Sequence, residues 1–214
     1  MALCLLCLSL TLLGILQTQA QDPPLAVPLN IPMYKVPVQS DFQDDQFQGK
    51  WYTIAVADNA IRFENLTHVH MYSTIFELKD DHSYNVTSRM FSEEQCELWI
   101  RTFVPTVLPG QFTLENITRF NQIQNYTVRV TATDYDQFAT MFLKTTYKSR
   151  VYIEIILLGR TKELSLELKE GFLNFSKSLG LTEEDIIFTD PIGNVQLGRG
   201  GQDVGSVQVW CYTL

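Results

Sequence analysis

The chain has 214 residues, of which 45% are hydrophobic and 19% charged, and its formal net charge is −8. Without its N-terminal leader that length suits one domain. A surplus of carboxylates excludes nucleic acid and anionic membrane surfaces as partners. Residues 1–20 carry no charged side chain, hold the run Leu5 to Leu13, and end in Thr18-Gln19-Ala20 with small residues at −3 and −1. This pattern predicts a secretory signal peptide, because the apolar run is too short to span a bilayer. No later stretch approaches spanning length, so a secreted, extracellular protein without membrane insertion is expected.

Residues 21–40, with Pro23, Pro24, Pro28, Pro32 and Pro37, predict an extended N-terminal arm. From Gly49 to Gly159 the apolar residues alternate with period two, which predicts strands near 50–58, 70–79, 83–91, 97–105, 111–118, 125–134, 137–146 and 150–159. Asp80-Asp81, Pro109-Gly110, Asp134-Tyr135-Asp136 and Lys148-Ser149 punctuate them. Eight consecutive antiparallel strands predict an all-β, up-and-down barrel that closes on itself and can hold one ligand inside. After Arg160 the period changes. Leu164, Leu168, Phe172, Phe175 and Leu179 recur at helical spacing before Gly180, a natural helix stop, so a C-terminal helix should pack outside the barrel. Asn174 falls on its solvated side, and Ile186-Ile187-Phe188 reads as a short ninth strand. The barrel domain is thus expected over 41–192, followed at 193–214 by a Gly-rich flexible tail.

Five glycosylation sequons, at Asn65, Asn85, Asn116, Asn125 and Asn174, suit a secreted glycoprotein, with two or three expected to carry glycan. Cys4 and Cys7 leave with the leader, so the mature chain keeps Cys96 and Cys211. Either these two form a disulfide, or the tail is foreign to the fold and Cys96 is unpaired. His68 and His70 share a face but lack a nearby carboxylate or thiolate and read as surface residues rather than metal ligands. No Gly-x-Ser-x-Gly elbow or zinc-ligand cluster occurs, so no catalytic residue, metal or cofactor is expected.

Three short motifs stand in order: Gly49-Lys50-Trp51, Thr133-Asp134-Tyr135 and Leu158-Gly159-Arg160-Thr161. Glycine permits a tight turn into the first strand, and the tryptophan can plug one barrel end with Arg160 laid across its indole. Asp134 reads as the cap of its own turn. Together the motifs resemble those of the lipocalin family. Asp44 to Tyr52, Ser83 to Ser88, Trp99 to Pro105, Gly159 to Leu164 and Phe175 to Leu181 extend the similarity across roughly residues 36–192, most closely to a siderophore-binding branch.

The resemblance implies a secreted small-molecule carrier, with Asn85 at a position glycosylated in the family. The family's usual disulfide joins the Cys96 strand to a cysteine just after Pro191-Ile192, where this chain has Gly193-Asn194-Val195. It also implies which faces point inward: Tyr72 and Thr74; Trp99, Arg101 and Phe103; Tyr126, Val128 and Val130; Met141, Leu143 and Thr145; Tyr152, Glu154, Ile156 and Leu158. The siderophore-binding branch grips its iron complex with three inward cations. This chain keeps Arg101 but has Thr145 and Glu154 at the other two positions, and Leu158 replaces an aromatic at the rim. Tyr72, Thr74, Trp99 and Tyr126 match. A trianionic complex without its countercharges would be heavily penalised in an apolar barrel. The expected ligand is therefore small and largely hydrophobic, neutral or singly anionic, with Arg101 gripping it, pairing with Glu154, or both. Siderophore capture in iron homeostasis and innate immunity, with a low-charge siderophore, is the alternative. Thiol-based prostanoid isomerisation lacks a cysteine on an inward face, Cys96 at a strand start being the one candidate. A monomer is expected, and a cell-surface receptor is left open as a partner.

Overall fold

The computed structural model describes residues 29–61, 69–92, 95–120 and 122–190. Eight strands follow one another antiparallel: β1 (Gly49–Asp58), β2 (Ser73–Leu78), β3 (Tyr84–Ser92), β4 (Gln95–Pro105), β5 (Gln111–Leu114), β6 (Ile123–Thr133), β7 (Phe138–Tyr147) and β8 (Arg150–Gly159). β8 returns to pair with β1, and β1 pairs with β2, so the sheet closes into a barrel. Closure removes the exposed edges that a sheet of this size would otherwise carry. A ninth strand, β9 (Ile186–Phe188), adds to the outer end of β1.

Two strands depart from the sequence pattern. β2 begins at Ser73, and β5 stops at Leu114 instead of reaching 118. Asn116 adopts the left-handed conformation (φ 48°, ψ 47°), which ends the extended run and starts a 3₁₀ turn at Ile117–Arg119. Asparagine tolerates that region better than most residues, so the break has a local cause.

β1 carries an irregularity that alternation alone misses. Its register against β8 shifts between Thr53 and Ala55. Two consecutive residues, Ile54 and Ala55, therefore pack outward in the outer apolar layer, together with Ala57. Trp51 and Thr53 below the bulge, and Val56 and Asp58 above it, face the interior. A bulge inserts one residue, so every side chain beyond it changes face.

The predicted helix is present as α2 (Leu166–Ser178), preceded in the chain by a single turn, α1 (Asp44–Phe47), that introduces β1. Ser165 caps α2, accepting a hydrogen bond from the Leu168 amide at 3.3 Å. Gly180, at φ +97°, follows its end. The helix buries Phe172 against the outer faces of β1, β7 and β8, where Ile54, Ile153, Ile155 and Leu157 form a second apolar layer. Asn174 is exposed on its far side.

The described part of the N-terminal arm, from residue 29, is fastened to the barrel wall. Arg129, only 8% exposed, donates through Nη1 to the carbonyls of Met33 and Val36 at 2.7 and 2.5 Å. Lys144 turns outward and donates to Asn30 Oδ1 and the Ile31 carbonyl, both at 3.0 Å. Ile31 and Val36 are buried in the outer layer. Residues 1–28 and the Gly-rich tail lie outside the described residues.

Candidate ligand-binding cavity

One barrel end is plugged from the chain segment that enters β1. Gly49 adopts φ +100°, a conformation open to glycine, and a Cβ there would stand 3.1 Å from Arg160 Nη1. The turn delivers Trp51, fully buried, with Nε1 donating to the Phe47 carbonyl at 2.8 Å. The Arg160 guanidinium lies 3.7 Å from the indole centre. It also donates to the carbonyls of Tyr135, Lys50 and Gln46. The Thr133-Asp134-Tyr135 turn is built for this contact. Asp134 Oδ1 accepts from the amides of Gln137 and Phe138, each at 2.9 Å, and Tyr135 at φ 67° presents its carbonyl to Arg160. Phe47, Phe76, Tyr84 and Phe112 complete the plug through tilted and edge-on ring contacts.

Above the plug the interior is hollow, with a volume of about 420 Å³. That is within the range of small-molecule pockets. Its walls come from β1, β2, β3, β4, β7 and β8 and from the chain joining β1 to β2. Leu114, Val128 and Val130 of β5 and β6 are buried in the packed inner cluster, so the hollow is off-centre. Most of the lining is apolar, including Val56, Phe76, Val86, Met90, Phe103, Met141, Leu143, Ile156 and Leu158. The polar groups are few: Thr53, Asp58, Tyr72, Thr74, Ser88, Arg101 and Glu154.

Of the residues the sequence placed inward, Tyr72, Thr74, Trp99, Arg101, Phe103, Met141, Leu143, Glu154, Ile156 and Leu158 line this hollow. Tyr126, 8% exposed, reaches it by accepting a hydrogen bond from Arg101 Nη1 at 3.2 Å. Thr145 and Tyr152 do not line it. They pair with one another across β7 and β8, one pleat nearer the mouth than the Leu143–Glu154 pair, beyond the enclosed volume. The sequence reading omitted Val86, Ser88 and Met90, which alternation along β3 could have supplied. It also omitted Thr53, which alternation from Trp51 could have supplied, and Val56 and Asp58, which the bulge conceals.

Arg101 and Glu154 approach from different walls and form no ion pair. Arg101 donates to Tyr126 and to Ser88 Oγ at 3.4 Å, and its guanidinium is 5.7 Å from the Trp99 ring centre and 6.0 Å from that of Phe103. Its Nε is buried without a partner. Burial raises the Glu154 carboxyl from 4.5 to about 7; the Asp58 charge adds to the rise and Arg101 opposes it. Burial and the Glu154 charge hold the Tyr72 phenol well above its ordinary value, and burial also raises Tyr126. Both tyrosines are neutral hydrogen-bonding groups at physiological pH.

The elevated Glu154 carboxyl has a consequence for stability. A carboxyl raised on folding favours the protonated native state, so its contribution is full below pH 4.5 and is lost as pH rises through 7. Glu154→Gln, which keeps the shape without the charge, is expected to raise stability at pH 8 by about 2–3 kcal/mol and change little at pH 4. Urea unfolding midpoints at the two pH values measure this; an equal shift at both would show that ionisation plays no part.

Asn116 and Asn125 are exposed, and Asn85 is half-buried on the outer face of β3, where Nδ2 donates to Glu77 at 3.0 Å. Asn65 lies outside the described residues. Cys96, near the open end of β4, is exposed, disulfide-bonded and not part of the cavity lining; Cys211 lies outside the described residues. His70 forms an isolated parallel bridge with Asp190, and His68 lies outside the described residues. Among the described residues there is no group of side chains arranged to hold a metal ion.

A model of the lipocalin / cytosolic fatty-acid binding protein family matches residues 48–192. Neutrophil gelatinase-associated lipocalin of Homo sapiens is 53% identical over 192 residues, covering 90% of this chain and 97% of that relative. Prostaglandin-H2 D-isomerase of Mus musculus is 34% identical over 192 residues, covering 87% of this chain and 94% of that relative. The solution structure of lipocalin 12 from rat epididymis superposes with a TM-score of 0.67 at 28% identity, over 77% of this chain and 93% of that one. The closed barrel, its tryptophan and arginine plug, its outer helix and these matches together make the chain a member of the lipocalin family.

Proposed function

We propose that the protein is a secreted, monomeric carrier that holds one small, largely apolar ligand in its barrel, either neutral or singly anionic. The observation that carries this reading is the charge of the cavity lining: among the described residues it has one cation, Arg101, and two carboxylates, Asp58 and Glu154, in a mostly apolar hollow. A polyanion would find a single described countercharge there, in an enclosure too apolar to solvate the rest of its charge. Secretion rests on the leader pattern of residues 1–20 and on likeness to the gelatinase-associated relatives. Among the described residues no helix is long and apolar enough to cross a membrane.

Capture of a low-charge siderophore is the second reading. It is supported by the retained Arg101, framed by Trp99 and Phe103 as a cation beside aromatic faces. Isomerase chemistry through a thiol has less support, since Cys96 is disulfide-bonded and outside the cavity lining. Cys211 is the proposed partner of Cys96, and a peptide map without reductant tests that bond. Native mass spectrometry of protein secreted from animal cells tests the main reading. A retained lipid-like ligand of low polarity is expected, with glycan at two or three sequons. Recovery of a ferric siderophore instead would replace the main reading with the second.

A further inference from the structure

Resting on the carrier reading above, we propose that the cavity takes an amphiphile with a single acidic group, which Arg101 binds while Glu154 takes up one proton. Two observations of geometry lead there. Arg101 lies beside the Trp99 and Phe103 rings, its hydrogen bonds go to neutral hydroxyls, those of Tyr126 and Ser88, and its buried Nε has no acceptor. Glu154 shares the same hollow from the opposite side of the sheet order, across β5, β6 and β7, without reaching Arg101. A buried donor left unmatched is costly, and an anionic oxygen from a ligand would satisfy it.

The groups facing Glu154 set the stoichiometry. Asp58 is its register partner on β1 and is already tied to the Ala60 amide at 2.6 Å. Its partner on β7 is Leu143, which is apolar. Among the described residues, Tyr72, Tyr126 and Arg101 are the other titratable or charged groups acting with it. An anion seated on Arg101 would place a third negative charge beside Asp58 and Glu154 in an apolar enclosure. Protonating Glu154 relieves this, because its carboxyl already sits near neutrality. Glu154 is therefore the residue that sets the charge of the ligand.

The test is fluorescence titration with 11-(dansylamino)undecanoate as the acidic probe and retinol as the neutral one, from pH 6.5 to 8.5. The acidic probe's Kd is expected to rise about tenfold per pH unit above 7, the slope of one linked proton, while retinol's stays flat. In Glu154→Gln the acidic probe should bind tightly at every pH. In Arg101→Met it should lose affinity while retinol keeps its own. Circular dichroism and melting curves establish that both variants are folded. A flat profile for the acidic probe in the unaltered protein, or the same slope in Glu154→Gln, overturns the proton coupling and leaves the carrier reading standing. Failure of both probes to bind overturns the carrier reading, and the coupling with it.

Discussion

Replacement of Trp51 by alanine is expected to destabilise the barrel by about 3–5 kcal/mol, or to prevent its secretion. The indole is fully buried and packs against Phe47 with ring centres 5.4 Å apart. Removing it leaves a cavity where packing is closest, deletes the hydrogen bond to the Phe47 carbonyl, and takes away the face on which Arg160 rests. Arg160 would keep its bonds to the Tyr135, Lys50 and Gln46 carbonyls but lose the surface that desolvates it favourably. Arg160 in turn links the turn after β6 to the start of β1, so the damage spreads to both ends of the chain segment that closes the barrel. Melting temperature and secreted yield are the measurements. A near-normal value of both would mean that the plug is not what holds this end shut.

The second large effect concerns charge inside the hollow. Ferric enterobactin is expected to quench the protein's tryptophan fluorescence weakly or not at all. Glu154→Lys with Thr145→Lys should bring binding into the submicromolar range, since each favourable charge contact is worth a few kcal/mol at an effective dielectric near 20. The positions of the two residues apportion the gain. Glu154 lines the cavity, whereas Thr145 stands at the mouth, so Glu154→Lys alone should supply most of it. Submicromolar quenching of the unaltered protein would show that Arg101 suffices to hold a trianion, against the charge argument made for this cavity.

The fold was legible because its signals are local. Period-two alternation and the turn residues between runs located all eight barrel strands and the short Ile186–Phe188 strand, and the Leu164 to Leu179 spacing located the helix. What escaped depends on contacts distant in sequence. The β1 bulge is fixed by register against β8, more than a hundred residues away, and so hid Val56 and Asp58 from any count of alternating positions. The arm read as extended, but where it is fastened could not be read: Arg129 and Lys144 hold it, and no pattern within residues 29–40 announces partners on β6 and β7. Thr145 was assigned to the wall by the face it shares with Leu143 and by resemblance. Face follows from parity, whereas depth depends on where the barrel stops enclosing space, and parity carries no information about that.

The pairing of β1 has a mechanical meaning. Its direct ladder to β2 runs only from Gly49 to Tyr52, at the plugged end. Toward the mouth, Ala55 to Ala57 pair instead with β9, and Asp190 just beyond it joins the chain at Val69, His70 and Met71. The barrel is thus hooped by continuous sheet at its base and fastened at its rim by a three-residue clasp. That clasp hangs from the outer helix, with Phe188 in edge contact with Phe172 at 6.3 Å. The hoop at the mouth is therefore completed from outside the barrel wall, by a segment that also packs on the helix, whereas at the base the wall completes itself.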